Sequence, residues 1–135
     1  MDRRTQIMEQ IENLDGTNAF IRRGDYFLVA LLPDILSEGE NVERIAKGIH
    51  LNVWGLLIAT DRRVIFIGKN YNTLNDVNYG EWTYHEISSM MHQKGFIFGK
   101  IIIEVQGSRK EIHQIPNSQA RGFCEYVENH STVPV

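Results

Sequence analysis

One cysteine, Cys124, serves a chain of 135 residues. A lone thiol excludes an internal disulfide and every Cys-x-x-Cys metal pattern, and it suits a reducing cytoplasm, where the protein is expected. Long apolar runs are missing as well. No stretch approaches the ~20 residues that cross a bilayer, so no transmembrane helix is expected. The opening Met1-Asp2-Arg3-Arg4 leads into charged sequence rather than the apolar core of a secretory signal. Positive charge is in short supply: 14 Lys and Arg face 17 Asp and Glu, for a net charge of -3. Nucleic-acid binding depends on a basic surface that displaces counterions, so a nucleic-acid partner is not expected. Residues 51–110 hold seven bases and five acids, an excess ordinary for a solvated surface. Signatures of catalysis are missing too. There is no Gly-x-Ser-x-Gly, no P-loop and no Gly-x-Gly-x-x-Gly. The five histidines, His50, His85, His92, His113 and His130, never fall at His-x-x-x-His spacing, so neither a metal nor a cofactor is expected.

What is present is a core. Hydrophobic residues make up 42% of the chain, which rules out wholesale disorder. Residues 2–14 are predicted helical, with Asp2 as N-cap and Ile7, Ile11 and Leu14 on one apolar stripe that Asp15-Gly16 ends. A second short helix is predicted from Asp25 to near Leu32, because Pro33 disfavours helical backbone before it. From about Val42 the pattern turns to strand. Val53 to Thr60 and Val64 to Ile67 are apolar strand-forming runs joined by a tight hairpin at Thr60-Asp61-Arg62-Arg63. Gly68 is expected to end the second run. Residues 69–80, rich in Asn and Gly, are expected as a long polar loop. A further strand is expected from Trp82 to about Met91. Phe98 to Gln106 alternates apolar and polar, and Gly107-Ser108 matches a two-residue turn into Arg109 to Ile115. Pro116 closes that strand. Asn117 or Ser118 can cap a last helix with Ala120, Phe123, Cys124 and Val127 on its apolar stripe. Gly122 inside it is expected where the helix approaches the sheet. Helices at the ends and about seven short antiparallel strands between them predict a sandwich or partly open barrel.

The segments Leu32-x-x-Ile-Leu-x-x-Gly39-Glu40-x-Val42, Gly55-Leu56-Leu57-x-Ala59-Thr60-Asp61-x-Arg63-Val64-Ile65-Phe66, Tyr84-x-x-Ile87-x-Ser89, Gly99-x-Ile101-x-Ile103 and Phe123-x-x-Tyr126-Val127 resemble the bacterial pleckstrin-homology-like domains, especially the YokE-like group. The Thr-Asp-x-Arg segment occurs in GRAM-like relatives as well. The resemblance implies a mainly β (α+β) fold over residues 32–130: a roll of about seven antiparallel strands in two near-orthogonal sheets, capped by a C-terminal helix. Residues 1–31 then form a helical extension and 131–135 a frayed tail. The roles it implies are interaction and self-assembly rather than catalysis.

The hairpin residues have an architectural reason: Thr60 and Asp61 can bond the turn backbone, and Arg63 can cross the hairpin or pair with an acid. Cys124 reads as a small buried hydrophobe rather than a nucleophile. Large amphipathic aromatics, among them Trp54, Trp82, Tyr71, Tyr79 and Tyr84, are of the types enriched at interfaces, though Trp82 and Tyr84 can equally cover the sheet. The stripe of Ile7, Ile11 and Leu14 has no evident place in a seven-stranded roll and can pack on its own domain or on a partner. The expected interaction surface is therefore Ile7, Ile11, Leu14, Trp54, Trp82 and Tyr84, and the expected partner is another protein or a second copy. Lipid contact has weaker support. The hairpin around Lys47 to Asn52 offers one Lys, and each basic residue near an anionic membrane adds only about 1 kcal/mol. Lys94, Lys100, Arg109 and Lys110 can form a small basic patch that a solvated face explains equally well. Gly95 and Gly99 bracket Phe96-Ile97-Phe98, read as a turn flanked by aromatics. The expected function is a non-enzymatic module working by protein–protein contact; the alternative is membrane-surface or small-ligand binding through loops of the roll.

Overall fold

The computed structural model describes residues 2–12, 26–70 and 76–130. Leu14, Asp15-Gly16, Asp25, Tyr71 and the 131–135 tail lie outside the described residues. Helix α1 (Arg3–Glu12) begins at the expected cap, with the Thr5 N–H donating to Asp2 Oδ1 at 2.7 Å. That bond satisfies one of the donors that a helix start leaves without an intrahelical partner. Two short helical turns follow, α2 (Tyr26–Val29) and α3 (Leu32–Ile35). Pro33 was expected to stop helical structure, and instead it sits in the first turn of α3. Proline is tolerated there because the N–H it lacks has no helical acceptor at that position.

Seven antiparallel strands come next: β1 (Val42–His50), β2 (Val53–Thr60), β3 (Arg63–Asn70), β4 (Asp76–Thr83), β5 (Ile87–Gln93), β6 (Phe98–Val105) and β7 (Ser108–Pro116). Helix α4 (Asn117–His130) ends the described chain. The fold is mainly β, with the expected C-terminal helix. The expected pair of sheets is one continuous sheet in the order β4-β3-β2-β1-β7-β6-β5. Its halves meet where Ile49 of β1 pairs with His113 of β7. Gly48 makes that crossing possible: a Cβ there would lie 2.7 Å from the His113 carbonyl oxygen. On β7, Gln114 has a left-handed φ of 60° next to a register shift against β6, which marks a bulge that bends the strand.

Several local expectations change. β3 continues past Gly68, and much of the Asn-rich stretch is ladder, with Gly68 opposite Asn78 and Lys69 opposite Val77. β4 is an edge strand, so its backbone pairs on one side while its polar side chains stay in water. The strand expected from Trp82 to Met91 is broken by a turn at Tyr84 to Glu86. There the Glu86 carboxylate accepts from the Thr83 N–H and hydroxyl, both at 3.0 Å. The β6–β7 turn centres on Gln106 and Gly107 rather than Gly107 and Ser108. Both have positive φ, 49° and 83°, as a type I′ hairpin requires. Gly122 faces open space rather than the sheet.

Two cores share this sheet. The inner one lies under α4 and joins Leu57, Ala59, Phe66, Ile101, Ile103, Ile112 and Ile115 to Ala120, Phe123, Cys124 and Val127. The outer one joins Leu56, Ile58, Ile65 and Ile67 to Ile7 and Ile11 of α1, Leu28 and Val29 of α2 and Leu32 of α3. β2 and β3 are therefore buried on both faces. That is why their runs are continuously apolar instead of alternating.

Candidate functional site

The hairpin motif closes a polar network at one end of β2 and β3. The Thr60 hydroxyl accepts from the backbone N–H groups of Arg62 and Arg63, both at 3.0 Å, and donates to Glu40 Oε2 at 2.6 Å. Arg63 grips the same carboxylate with two bonds, Nε to Oε2 and Nη2 to Oε1, each 3.0 Å. Its Nη2 also donates to the Ile35 carbonyl at 2.8 Å, and its Nη1 to Glu81. Asp61 Oδ1 accepts from the Asn41 N–H at 3.0 Å. Arg3 of α1 reaches the Ser37 carbonyl at 2.9 Å and the carbonyl of Glu40. Glu40, which the sequence shows in a family segment without linking it to the hairpin, is thus the hub. Its side chain is fully buried. Burial alone pushes its carboxyl up. The hydrogen bonds from Arg63, Thr60 and the Ser37 N–H outweigh that, and the group ends below the usual carboxylate range. Each carboxylate oxygen already accepts two hydrogen bonds. A base so saturated has no lone pair directed at a substrate, so the network serves as a staple between α1, α3, β3 and β4.

The expected interaction residues do not come together. Ile7 and Ile11 are buried against the chain's own sheet, and Leu14 lies outside the described residues. Trp82 and Tyr84 are buried in the inner core, where the Tyr84 hydroxyl donates to the Thr60 carbonyl. Groups so enclosed serve packing and offer no docking surface. Trp54 does face solvent, at 47% exposure, with Lys47 Nζ 5.9 Å from its ring centre. It stands on the outer face, on the same side of β2 as Leu56 and Ile58. Tyr79 opposite Ile67, and Val77 opposite Lys69, extend the same face across β4. Phe27 of α2 borders it, with Lys69 Nζ 4.6 Å from the ring centre. The result is an apolar and aromatic band capped by lysines beside an edge strand.

A second exposed apolar feature is the β5–β6 hairpin, residues 94–97 with Phe98. Phe96 is 98% exposed, and Ile97 and Phe98 are also exposed. Its conformation is held by Asn117, whose Nδ2 donates to the Gly95 carbonyl at 2.9 Å and whose Oδ1 accepts from the Gly95 N–H at 3.1 Å. The Asn117 N–H donates to the Ile97 carbonyl at 3.1 Å. Asn117 is one of two expected caps of the last helix, with Ser118; its side chain is spent on this loop. Of the expected basic patch, Lys100 and Arg109 pair with Glu111 at 2.6 and 3.2 Å.

Other chemistry finds little purchase. Burial pushes the Cys124 thiol up to about 12, with Glu128 and Glu125 adding to it, so no thiolate forms near neutral pH. Among the described residues no group of three or more His, Cys, Asp or Glu is placed to hold a metal ion. No described helix is long and apolar enough to cross a membrane. An open groove of about 930 Å³ runs between α1 and residues 33–41. Gln10 bridges it, accepting from the Val42 N–H and donating to Asn41, both at 2.9 Å.

A family model described as a bacterial PH domain matches residues 36–129. Among solved structures, a pleckstrin homology domain from Shewanella amazonensis SB2B is 19% identical. The match covers 78% of this chain and 96% of that one, with a TM-score of 0.57. A DUF1696 family protein with a pleckstrin-homology domain from Shewanella loihica PV-4 is 16% identical over 79% and 96% of the two chains, with a TM-score of 0.55. The C-terminal domain of an unknown protein from Leishmania infantum is 12% identical over 81% and 98%, with a TM-score of 0.59. At these identities the likeness is one of fold. No curated protein matches the chain.

Proposed function

The chain belongs to the bacterial PH domain family, and from that premise we propose that it is a non-catalytic cytoplasmic module that works by protein–protein contact, a second copy of itself being the first partner. The observation that carries this reading is the outer face on which Trp54, Tyr79, Val77 and Phe27 are all exposed. Tyrosine, tryptophan and phenylalanine are enriched at interfaces because they bury large area at low entropic cost. The face runs out onto β4, beyond which no strand follows in the sheet among the described residues. Such an edge can pair with a strand of another chain. Saturated Glu40 and protonated Cys124 support a non-catalytic role, and the single buried cysteine suits a reducing compartment.

Sedimentation equilibrium of the full chain tests the proposal. Self-association in the micromolar range is expected, and Trp54→Glu is expected to weaken it by about tenfold or more while leaving the melting temperature within a few degrees. A monomer at all concentrations, or association that the substitution leaves unchanged, contradicts it.

A further inference from the structure

β5 ends the sheet on the side opposite β4, and among the described residues no strand follows it. An edge of this kind holds a row of backbone N–H and C=O groups that another strand can complete. Proteins guard such edges with charges, proline or bulges. β4 follows that rule with Asp76 and Glu81. β5, Ile-Ser-Ser-Met-Met-His-Gln, has no acid, no Lys or Arg and no proline. Its one irregularity, the register shift between Ile87 and Ser89, lies at the end remote from the hairpin tip. Ser89 to Gln93 therefore runs in regular register with β6, and Ser89, Met91 and Gln93 are exposed along it.

Past Gln93 the chain continues into the tip. Lys94 is exposed there, and Phe96 and Ile97 follow with little cover from their own chain. The tip has a fixed shape. Asn117 holds it through three hydrogen bonds, and a Cβ at Gly95 would lie 1.9 Å from the Phe98 carbonyl oxygen. Uncharged strand, one cation and an apolar end thus follow one another along this edge.

We propose that β5 receives an extended segment of a partner protein, which pairs antiparallel with Ser89 to Gln93, sets an acidic side chain beside Lys94 and lays apolar side chains on Phe96 and Ile97. The antiparallel sense is that of every pairing in this sheet. Main-chain bonds to an edge supply affinity, and the side chains beside it supply selectivity. Lys94 is the charge of this edge, so it favours an acid and opposes a base. A second copy of the chain fits less well. Its own β5 stops at Ile87, and the residues before that, which would lie opposite the tip, turn inward. Tyr84 there is buried, and the Thr83 N–H is closed on Glu86. A segment free at both ends runs on past the strand and covers the tip.

Panning a phage library of random dodecapeptides on the immobilised full chain tests this. Enriched peptides are expected to read apolar residues, then an acid, then an uncharged run rich in Val, Ile and Thr. Adding such a peptide in synthetic form is expected to slow hydrogen–deuterium exchange in β5 and to leave β4 unchanged. Lys94→Glu is expected to weaken the peptide about threefold or more, and the same peptide with Lys in place of its acid is expected to bind that variant better than the native chain. This reversal shows that the variant is folded. Phe96→Ser with Ile97→Ser is expected to cost about tenfold. Trp54→Glu is expected to change nothing, which separates this contact from the one on the other face. Absence of any enriched peptide, binding indifferent to Lys94→Glu, or protection outside β5 each overturns the proposal. So does self-association that the Phe96 and Ile97 substitutions abolish, which would assign the edge to a second copy.

Discussion

At the scale of single residues, the informative group is Glu40. The sequence makes the hairpin readable, because Thr60, Asp61 and Arg63 are turn and ion-pair residues two strands' ends apart. It does not mark Glu40 as their partner. Glu40 is one of 17 acids and lies 23 residues before Arg63. Only the folded chain brings them together. Removing the charge of a buried, paired carboxylate leaves its partner incompletely bonded, and here the Arg63 guanidinium keeps Glu81 and the Ile35 carbonyl. Glu40→Gln is therefore expected to cost about 3 kcal/mol, somewhat less than a fully isolated charge would. Urea unfolding at pH 7 measures it. The pH dependence follows in sign. Glu40 is held below its ordinary 4.5 in the folded state, so its contribution is complete above that value and disappears as pH falls through the depressed one. Below pH 4.5 the native chain is expected to lose stability faster than Glu40→Gln, so the difference between them narrows. A constant difference from pH 7 to pH 2 would show that the charge on Glu40 is not what stabilises the network.

At the scale of elements, the N-terminal helices are where the sequence leaves two readings open, packing on the chain's own domain or on a partner, and the structure packs Ile7 and Ile11 on the sheet. The stripe of Ile7 and Ile11 is plain in the sequence, and the first residues read as an arm appended to a roll. In the structure they are a cover. The signal was present in β2 and β3, whose apolar runs do not alternate: Leu56 and Ile58 point one way, Leu57 and Ala59 the other, and all four are fully buried. A sheet apolar on both faces needs a layer on each, and α4 can supply one only. Residues 69–70 and 76–80, strand where a loop is expected, have a different cause. Asn78 and Gly80 are poor strand formers, but β4 is fixed by its ladder with β3 and needs few apolar side chains of its own. The layered arrangement gives a clear expectation. Ile7→Ala removes a side chain with no exposure from a two-layer contact and is expected to cost about 2–5 kcal/mol in chemical denaturation. A free arm would lose a few tenths at most. The shift of the β6–β7 turn by one residue is smaller in effect but has the same lesson. Gln106 adopts positive φ because the strand register, rather than its own preference, sets the turn.

At the scale of the whole molecule, one sheet is packed on both faces and left open at two places. Among the described residues, Trp54, Tyr79 and Val77 stay exposed toward the β4 edge, and the tip at Phe96 projects from the opposite edge. The first place is legible in the sequence in part, the second not at all. Trp54 was readable as an interface type, but its separation from buried Trp82 and Tyr84 depends on which face of which strand is covered. The tip read as a turn because exposure of a hydrophobic loop is a property of the fold. The face that most needs testing is that of Trp54, which is expected to meet a second protein chain. Hydrogen–deuterium exchange of the full chain at low and high concentration tests it most directly. Slower exchange at high concentration is expected in β4 and at Trp54, with β5 and β6 unchanged. Concentration-independent exchange throughout, or slowing confined to β5 and β6, would contradict it.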